Sequence, residues 1–152
     1  KTATMVRGRG ENRAKGLERL EKIKRLKEKT GGFRAFILWT YQPGNNELGG
    51  EKISSWEYLR TLAVARLYLD NIHTVQGSWV TQGKEIGQLT LAFGANDLGS
   101  VMLEENVVKA AGTSHAMNVE SMVRLIRQAG RRPAQRNTVY EIIKRFDDEV
   151  EA

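Results

Sequence analysis

The feature that most constrains the fold is the alternation of short apolar segments with longer segments of helical period. Thr2–Val6 reads as a strand, and the helical pattern behind it runs to the pair Gly31-Gly32. A second strand is predicted at Phe33–Thr40, followed by the turn-forming run Gln42–Asn46. Strands that are separated by helices are typical of βαβ units, so the alternation predicts a parallel sheet.

The alternation continues through the middle of the chain. A mostly apolar helix is predicted from Trp56 to Asp70, a third strand at His73–Val80, and a short extended piece within Gly94–Ser100. A further short helix is expected at Leu103–Ala111. Four strand–helix units of this kind make half of an eight-stranded barrel.

The tail favours two more helices. The first is capped by Asn118 and stopped by Gly130, and the second begins at Asn137 with its apolar residues facing inward (Val139, Ile142, Ile143 and Phe146). The predicted fold class is therefore α/β, the C-terminal half of a (β/α)8 TIM-type barrel with about four parallel strands, outer helices and extra C-terminal helices. We expect two regions, a half-barrel at residues 1–112 and a helical extension at 113–152 packed on it.

A half-barrel has two open sheet edges, each a row of unpaired backbone donors and acceptors. We therefore expect the chain to associate with a missing N-terminal half-barrel or with another copy of itself. No apolar run approaches the roughly 20 residues that span a bilayer, and no signal peptide is recognisable, so a cytoplasmic location without membrane contact is expected.

Composition limits the chemistry that the chain can support alone. It has no cysteine, so it offers no thiolate for an iron–sulfur cluster, and its two histidines are too few for a typical catalytic zinc site. No metal site is therefore predicted within this chain. The net charge of +6 comes from residues 1–30, which hold 11 Lys and Arg against 4 Glu. That segment resembles a solvated helix face without aromatics for base stacking, so nucleic-acid binding is not expected.

Four blocks of sequence support a family assignment: FILWTYQPGN, YLRTLAVARLYLDNI, SWVTQG and GQLTLAFGANDLGSVMLEENV. Together they resemble the radical S-adenosylmethionine enzymes of the futalosine route to menaquinone, and the likeness runs from Thr2 to Tyr140. Residues 39–45 favour the branch of the family that cyclises its nucleoside substrate. The branch that joins the radical to its substrate remains an alternative, as does a non-catalytic, self-associating half-barrel.

The resemblance implies a full barrel whose missing N-terminal half carries a C-x-x-x-C-x-x-C loop. That loop would bind a 4Fe–4S cluster, which reduces S-adenosylmethionine to a deoxyadenosyl radical that abstracts hydrogen from the substrate ribose. Neither cofactor is expected to be held by this chain alone, so the isolated fragment is expected to be inactive. Within Gly8-Arg9-Gly10-Glu11-Asn12 the usual histidine of the family pattern is missing, and Glu11 is the predicted cofactor-binding residue.

Candidate site residues follow the predicted strands, because parallel strands deliver such positions to one rim. Trp39 and Trp79 have core packing as their alternative role, Asn45 has a turn, and Asn96 with Asp97 has an Asx turn. The acids that open the predicted helix at 103–111 also favour its dipole regardless of function. Predicted substrate-binding residues are Trp39, Gln42, Asn45, Trp79, Gln82 and Asn96, and predicted catalytic residues are Asp97, Glu104 and Glu105.

Overall fold

A computed structural model describes residues 1–8, 12–43, 52–101 and 117–146. The described chain begins with a strand–helix–strand–helix–strand series: β1 (Thr2–Arg7), α1 (Arg13–Thr30), β2 (Ala35–Thr40), α2 (Ser55–Tyr68) and β3 (Thr74–Gln76). Two short helices, a longer helix and two strands follow: α3 (Trp79–Gln82), α4 (Lys84–Thr90), α5 (Val119–Gln128), β4 (Ala134–Arg136) and β5 (Ile142–Arg145). The predicted helix at 103–111 lies outside the described residues.

The first three strands form a parallel sheet in the order β1-β2-β3. The pairing of β1 with β2 is unbroken over six residues, from Thr2 opposite Ala35 to Arg7 opposite Thr40. Beyond β3, Gln76 forms one parallel bridge with Asp97, so the fourth predicted strand contributes a single bridge. The predicted parallel α/β arrangement is confirmed for these strands.

The two long helices are capped at their amino ends by side chains. Asn12 caps α1 by accepting a hydrogen bond from the Ala14 N–H, and Gly31 ends this helix in the left-handed region at φ 63°. Ser54 caps α2 by accepting from the Glu57 N–H at 3.2 Å. Both helices therefore start on a satisfied backbone donor, which fixes the connections that carry the chain from one strand to the next.

The helices cover one face of the sheet and bury the main core against it. Phe36, Leu38 and Leu62 are fully buried in this core. On the opposite face, paired Val6 and Trp39 are 47% and 39% exposed. Since side chains alternate along a strand, one face of the sheet packs and the other stays open.

A second, smaller core joins α5 to the rest of the chain. Trp79, Leu91, Leu98 and Met117 are buried there, and the apolar side of α5 packs against them. The C-terminal helix thus packs on the strand–helix units. Among the described residues, no helix combines the length and the apolar character needed to cross a membrane.

Two sequence predictions are wrong in detail. The third strand ends at Gln76 instead of continuing to Val80, and residues 79–82 form a helix. A Cβ at Gly77 would lie 2.0 Å from the Thr90 hydroxyl oxygen, so the chain makes a close approach to α4 there. That approach needs a glycine and marks where the strand stops.

The second wrong prediction is the last helix of the tail, which was expected to begin at Asn137. This part of the chain instead forms an antiparallel hairpin of β4 and β5. Asn137 does accept backbone hydrogen bonds through its side chain, but from the N–H groups of Val139 and Glu141, within a turn. Tyr140 has φ 70°, which a helix does not allow. Ile142 and Ile143, expected to face inward, are more than half exposed.

Replacing Gly87 with alanine should destabilise the chain. A Cβ at Gly87 would lie 2.5 Å from the Cβ and 3.0 Å from the Cα of Trp79, so α3 and α4 would have to separate. We expect urea unfolding to show a loss of about 1–3 kcal/mol in the free energy of unfolding. Glu85→Ala, on the exposed side of the same helix, is the control and should change it by less than about 0.5 kcal/mol. Equal stability of both variants would contradict this packing.

Candidate functional site at the carboxyl edge of the sheet

The carboxyl ends of β1 and β2 lie side by side, with Arg7 opposite Thr40. Both side chains belong to the helix-covered face and are buried, Arg7 to 5% and Thr40 to 2% exposure. The Arg7 guanidinium donates to the Glu57 carboxylate in the first turn of α2, with 3.1 Å between Nη2 and Oε1. This ion pair ties the end of β1 to the start of α2, at the edge where ligands bind in parallel α/β sheets.

The Thr40 hydroxyl joins two glutamines that are 40 residues apart in sequence. Gln42 donates from Nε2 to Thr40 Oγ1 at 2.9 Å, and Gln82 donates from its own Nε2 to the same oxygen at 2.8 Å. Gln42 Nε2 also donates to the Thr40 carbonyl oxygen at 3.3 Å. The sequence predicted that Gln42 and Gln82 share one rim, and in the structure both side chains donate a hydrogen bond to the same hydroxyl.

Helix α3, which carries Gln82, is held from two sides. The buried Tyr58 hydroxyl accepts the Ser78 N–H at 2.8 Å, and the Ser78 and Thr81 hydroxyls lie 2.8 Å apart. Lys52 donates to the Thr81 carbonyl oxygen at 2.7 Å, and burial lowers the pKa of this lysine. These contacts fix α3 relative to α2 and so fix the position of Gln82.

Trp39 lies at the same edge but on the other face of the sheet. It precedes Thr40 in β2, so its indole belongs to the open face, where it neighbours Val6 on β1. With 39% of its surface exposed, the indole keeps a large apolar area available for a ring-shaped ligand. At the carboxyl edge, the amides of Gln42 and Gln82 therefore lie on the helix-covered side of the sheet, and the indole of Trp39 lies on the open side.

Asp97 is engaged by the C-terminal hairpin. Its carboxylate accepts two hydrogen bonds from the Arg136 guanidinium, with 3.0 Å between Oδ1 and Nη2, and one from the Gly99 N–H at 2.6 Å. The Arg136 guanidinium also stacks over the Tyr140 ring, 4.1 Å from its centre. The hydrogen bond to Asp97 raises the pKa of Arg136. Bidentate pairing makes Asp97 an anchor for the hairpin.

Comparison with known proteins identifies the family of this chain. Residues 30–148 match the protein family described as the CofH/MqnC C-terminal region. The chain belongs to this family. The resemblance read from the four sequence blocks is thereby confirmed, and the matched residues include β2, α2, α3 and the hairpin.

Individual relatives refine the comparison. The chain is 54% identical to a cyclic dehypoxanthine futalosine synthase from Streptomyces coelicolor, over 97% of this chain and 37% of that protein. It is 47% identical to one from Halalkalibacterium halodurans, over 99% of the chain and 41% of the relative. An aminodeoxyfutalosine synthase from Thermus thermophilus is 37% identical over 95% of the chain and 41% of its own length. The chain therefore spans about two fifths of these relatives.

In this CofH/MqnC region, two predicted site residues lie elsewhere. The Asn96 amide donates to the His73 carbonyl and accepts from the Val75 N–H and from Arg66, so it lies at the amino end of β3. The prediction that Asn96 shares the rim with the glutamines is wrong, because its side chain closes the opposite end of the sheet. Trp79 is 1% exposed and fills the second core, so its predicted place at the rim is also wrong.

Four other predicted site residues lie outside the described residues: Asn45, Glu11, Glu104 and Glu105. The structure also identifies two site residues that the sequence did not indicate, Thr40 and Arg136. Thr40 was read only as the end of a strand, although its odd–even position relative to Trp39 already assigns it to the covered face. Arg136 carried no sequence signal, since its partner Asp97 lies 39 residues away.

The CofH/MqnC region does not supply ligands for the iron–sulfur cluster that the resemblance implies. The chain contains no cysteine, and the described residues contain no group of three or more His, Asp or Glu side chains that could hold a metal. Thiolate ligation of a 4Fe–4S cluster therefore requires residues beyond this chain.

Removing the Tyr58 hydroxyl should alter the response to alkali. Burial raises the pKa of Tyr58 to about 12, against about 10 in an unfolded chain, so the unfolded form loses this proton first. The stability that the neutral phenol contributes is complete below about pH 10 and is lost as the pH rises towards about 12. Urea unfolding should therefore show wild type losing stability relative to Tyr58→Phe across that window. A constant difference between the two proteins would refute the assignment.

Arg136→Leu should release the hairpin. Loss of a bidentate, charge-assisted pair leaves the Asp97 carboxylate without its strongest donor, and we expect a local cost of about 1.5–3 kcal/mol. Hydrogen exchange at the amides of β4 and β5 should accelerate accordingly. Arg132→Leu changes an exposed arginine of the same segment and serves as the control. If both variants exchange alike, the ion pair does not anchor the hairpin.

Proposed function

We propose that this chain is the C-terminal part of a radical S-adenosylmethionine cyclase that converts dehypoxanthine futalosine to its cyclic form in menaquinone biosynthesis. Identities of 54% and 47% to relatives named for that activity exceed the 37% to an aminodeoxyfutalosine synthase. Because the chain covers about two fifths of those relatives, the proposal concerns the full-length protein that contains it.

The observation that carries the proposal is the convergence of Gln42 and Gln82 on the Thr40 hydroxyl. In parallel α/β sheets, ligands bind outside the carboxyl ends of the strands. This edge presents uncharged amides, which suit the hydroxyl groups of a nucleoside without adding charge to a radical reaction. The exposed Trp39 indole next to this edge would cover the aromatic part of the substrate and exclude water.

Both cofactors belong to the full-length protein. A 4Fe–4S cluster and S-adenosylmethionine would supply the radical that initiates ring closure, and the missing N-terminal half-barrel would hold the cluster, since this chain has no thiolate. The residues of this chain would bind and orient the nucleoside. For proton transfer we propose Glu104 or Glu105 before Asp97, whose carboxylate is bound to Arg136.

The test is turnover by the full-length protein. After anaerobic reconstitution with iron and sulfide, it should convert dehypoxanthine futalosine to the cyclic product when S-adenosylmethionine and a reductant are present. The chain of residues 1–152 alone, treated in the same way, should acquire no cluster and form no product. Product from an aminodeoxyfutalosine synthase assay, with none from the cyclisation assay, would replace the proposed function by that of the transferring branch.

A further inference from the structure

The Thr40 hydroxyl accepts a hydrogen bond from the amide nitrogen of Gln82. A hydroxyl oxygen has two lone pairs, and both are used here, one by Gln42 Nε2 at 2.9 Å and one by Gln82 Nε2 at 2.8 Å. In this arrangement the nitrogen of Gln82 faces Thr40, and its carbonyl oxygen faces away.

That carbonyl oxygen is buried without a donor. Gln82 Oε1 is inaccessible to solvent, and none of the described residues donates a hydrogen bond to it. Leaving a buried acceptor unpaired costs free energy, and such groups in folded proteins call for an explanation. The backbone that carries Gln82 is held in place, because α3 is bound through Ser78 by Tyr58 and through Thr81 by Lys52.

Together these contacts make a preorganised acceptor at the carboxyl edge of the sheet. We propose that Gln82 Oε1 accepts a hydrogen bond from a hydroxyl or N–H group of the substrate, and that Thr40 is the positioning residue that sets this acceptor. The inference rests on the proposed function and narrows it by naming the chemistry of the contact. A ligand that presents a donor, such as a sugar hydroxyl, is favoured, and one that presents a carboxylate at this point is disfavoured.

Substitutions at Thr40 separate positioning from simple packing. In the full-length protein, Thr40→Val keeps the shape but removes the acceptor for both amides, so the Gln82 amide is free to rotate. We expect KM for the nucleoside to rise about tenfold, the equivalent of about one hydrogen bond, with kcat changed less than about twofold. Thr40→Ser retains the hydroxyl and should restore KM to within about twofold of wild type.

A double-mutant cycle tests whether Thr40 acts through Gln82. Gln82→Ala alone should raise KM by about the same factor, and adding Thr40→Val should raise it little further, because the acceptor that Thr40 positions is already gone. Independent, multiplying effects would overturn the positioning role. So would a Thr40→Val variant that binds the nucleoside as tightly as wild type.

Substrate analogues keep the inference testable even if Thr40→Val fails to fold. Deoxy analogues of the nucleoside, each lacking one hydroxyl, should include one that binds wild type about tenfold more weakly but binds Gln82→Ala no more weakly than the parent nucleoside does. If every analogue loses affinity equally in both proteins, Gln82 Oε1 is not the acceptor. If the wild-type protein cyclises its substrate normally but the analogues behave in this way, the inference is overturned and the proposed function stands. If the wild-type protein does not cyclise the substrate at all, both are overturned.

Discussion

The six-residue parallel pairing of β1 with β2 is the constraint on which the rest of the structure depends. Adjacent parallel strands require a long crossover connection, and α1 provides it between caps at Asn12 and Gly31. The pairing also brings Arg7 and Thr40 to the same edge, where the first meets α2 and the second meets α3 through Gln82. Core packing and the candidate site thus follow from a single register.

Two separate sets of polar contacts hold the ends of the sheet. At the carboxyl edge, Thr40 gathers neutral amides, and the charged pair of Arg7 and Glu57 is turned towards the helices. At the amino end, Asn96 binds the backbone of His73 and Val75. The first set leaves a buried acceptor unpaired among the described residues, whereas the Asn96 amide is paired through both its oxygen and its nitrogen.

Much of the fold could be predicted from the sequence because its signals are local. Apolar runs, helical periods and the stop at Gly31-Gly32 located β1, α1, β2 and α2, and the loop blocks identified the family. The failures arose where a local signal has two outcomes. Asn137 can begin a helix or stabilise a turn, and the left-handed backbone conformation of Tyr140 is compatible only with the turn. Trp79 and Asn96 were assigned to the rim because strand ends were predicted a few residues from their true positions. Thr40 was missed because one of its partners, Gln82, is remote in sequence.

A structure of the full-length protein with the proposed nucleoside substrate bound would test the central claim most directly. The account predicts substrate density above the carboxyl ends of β1 and β2, with a hydroxyl or N–H group within hydrogen-bonding distance of Gln82 Oε1 and an aromatic face near Trp39. Substrate bound at the amino end of the sheet, beside Asn96 and His73, would contradict it.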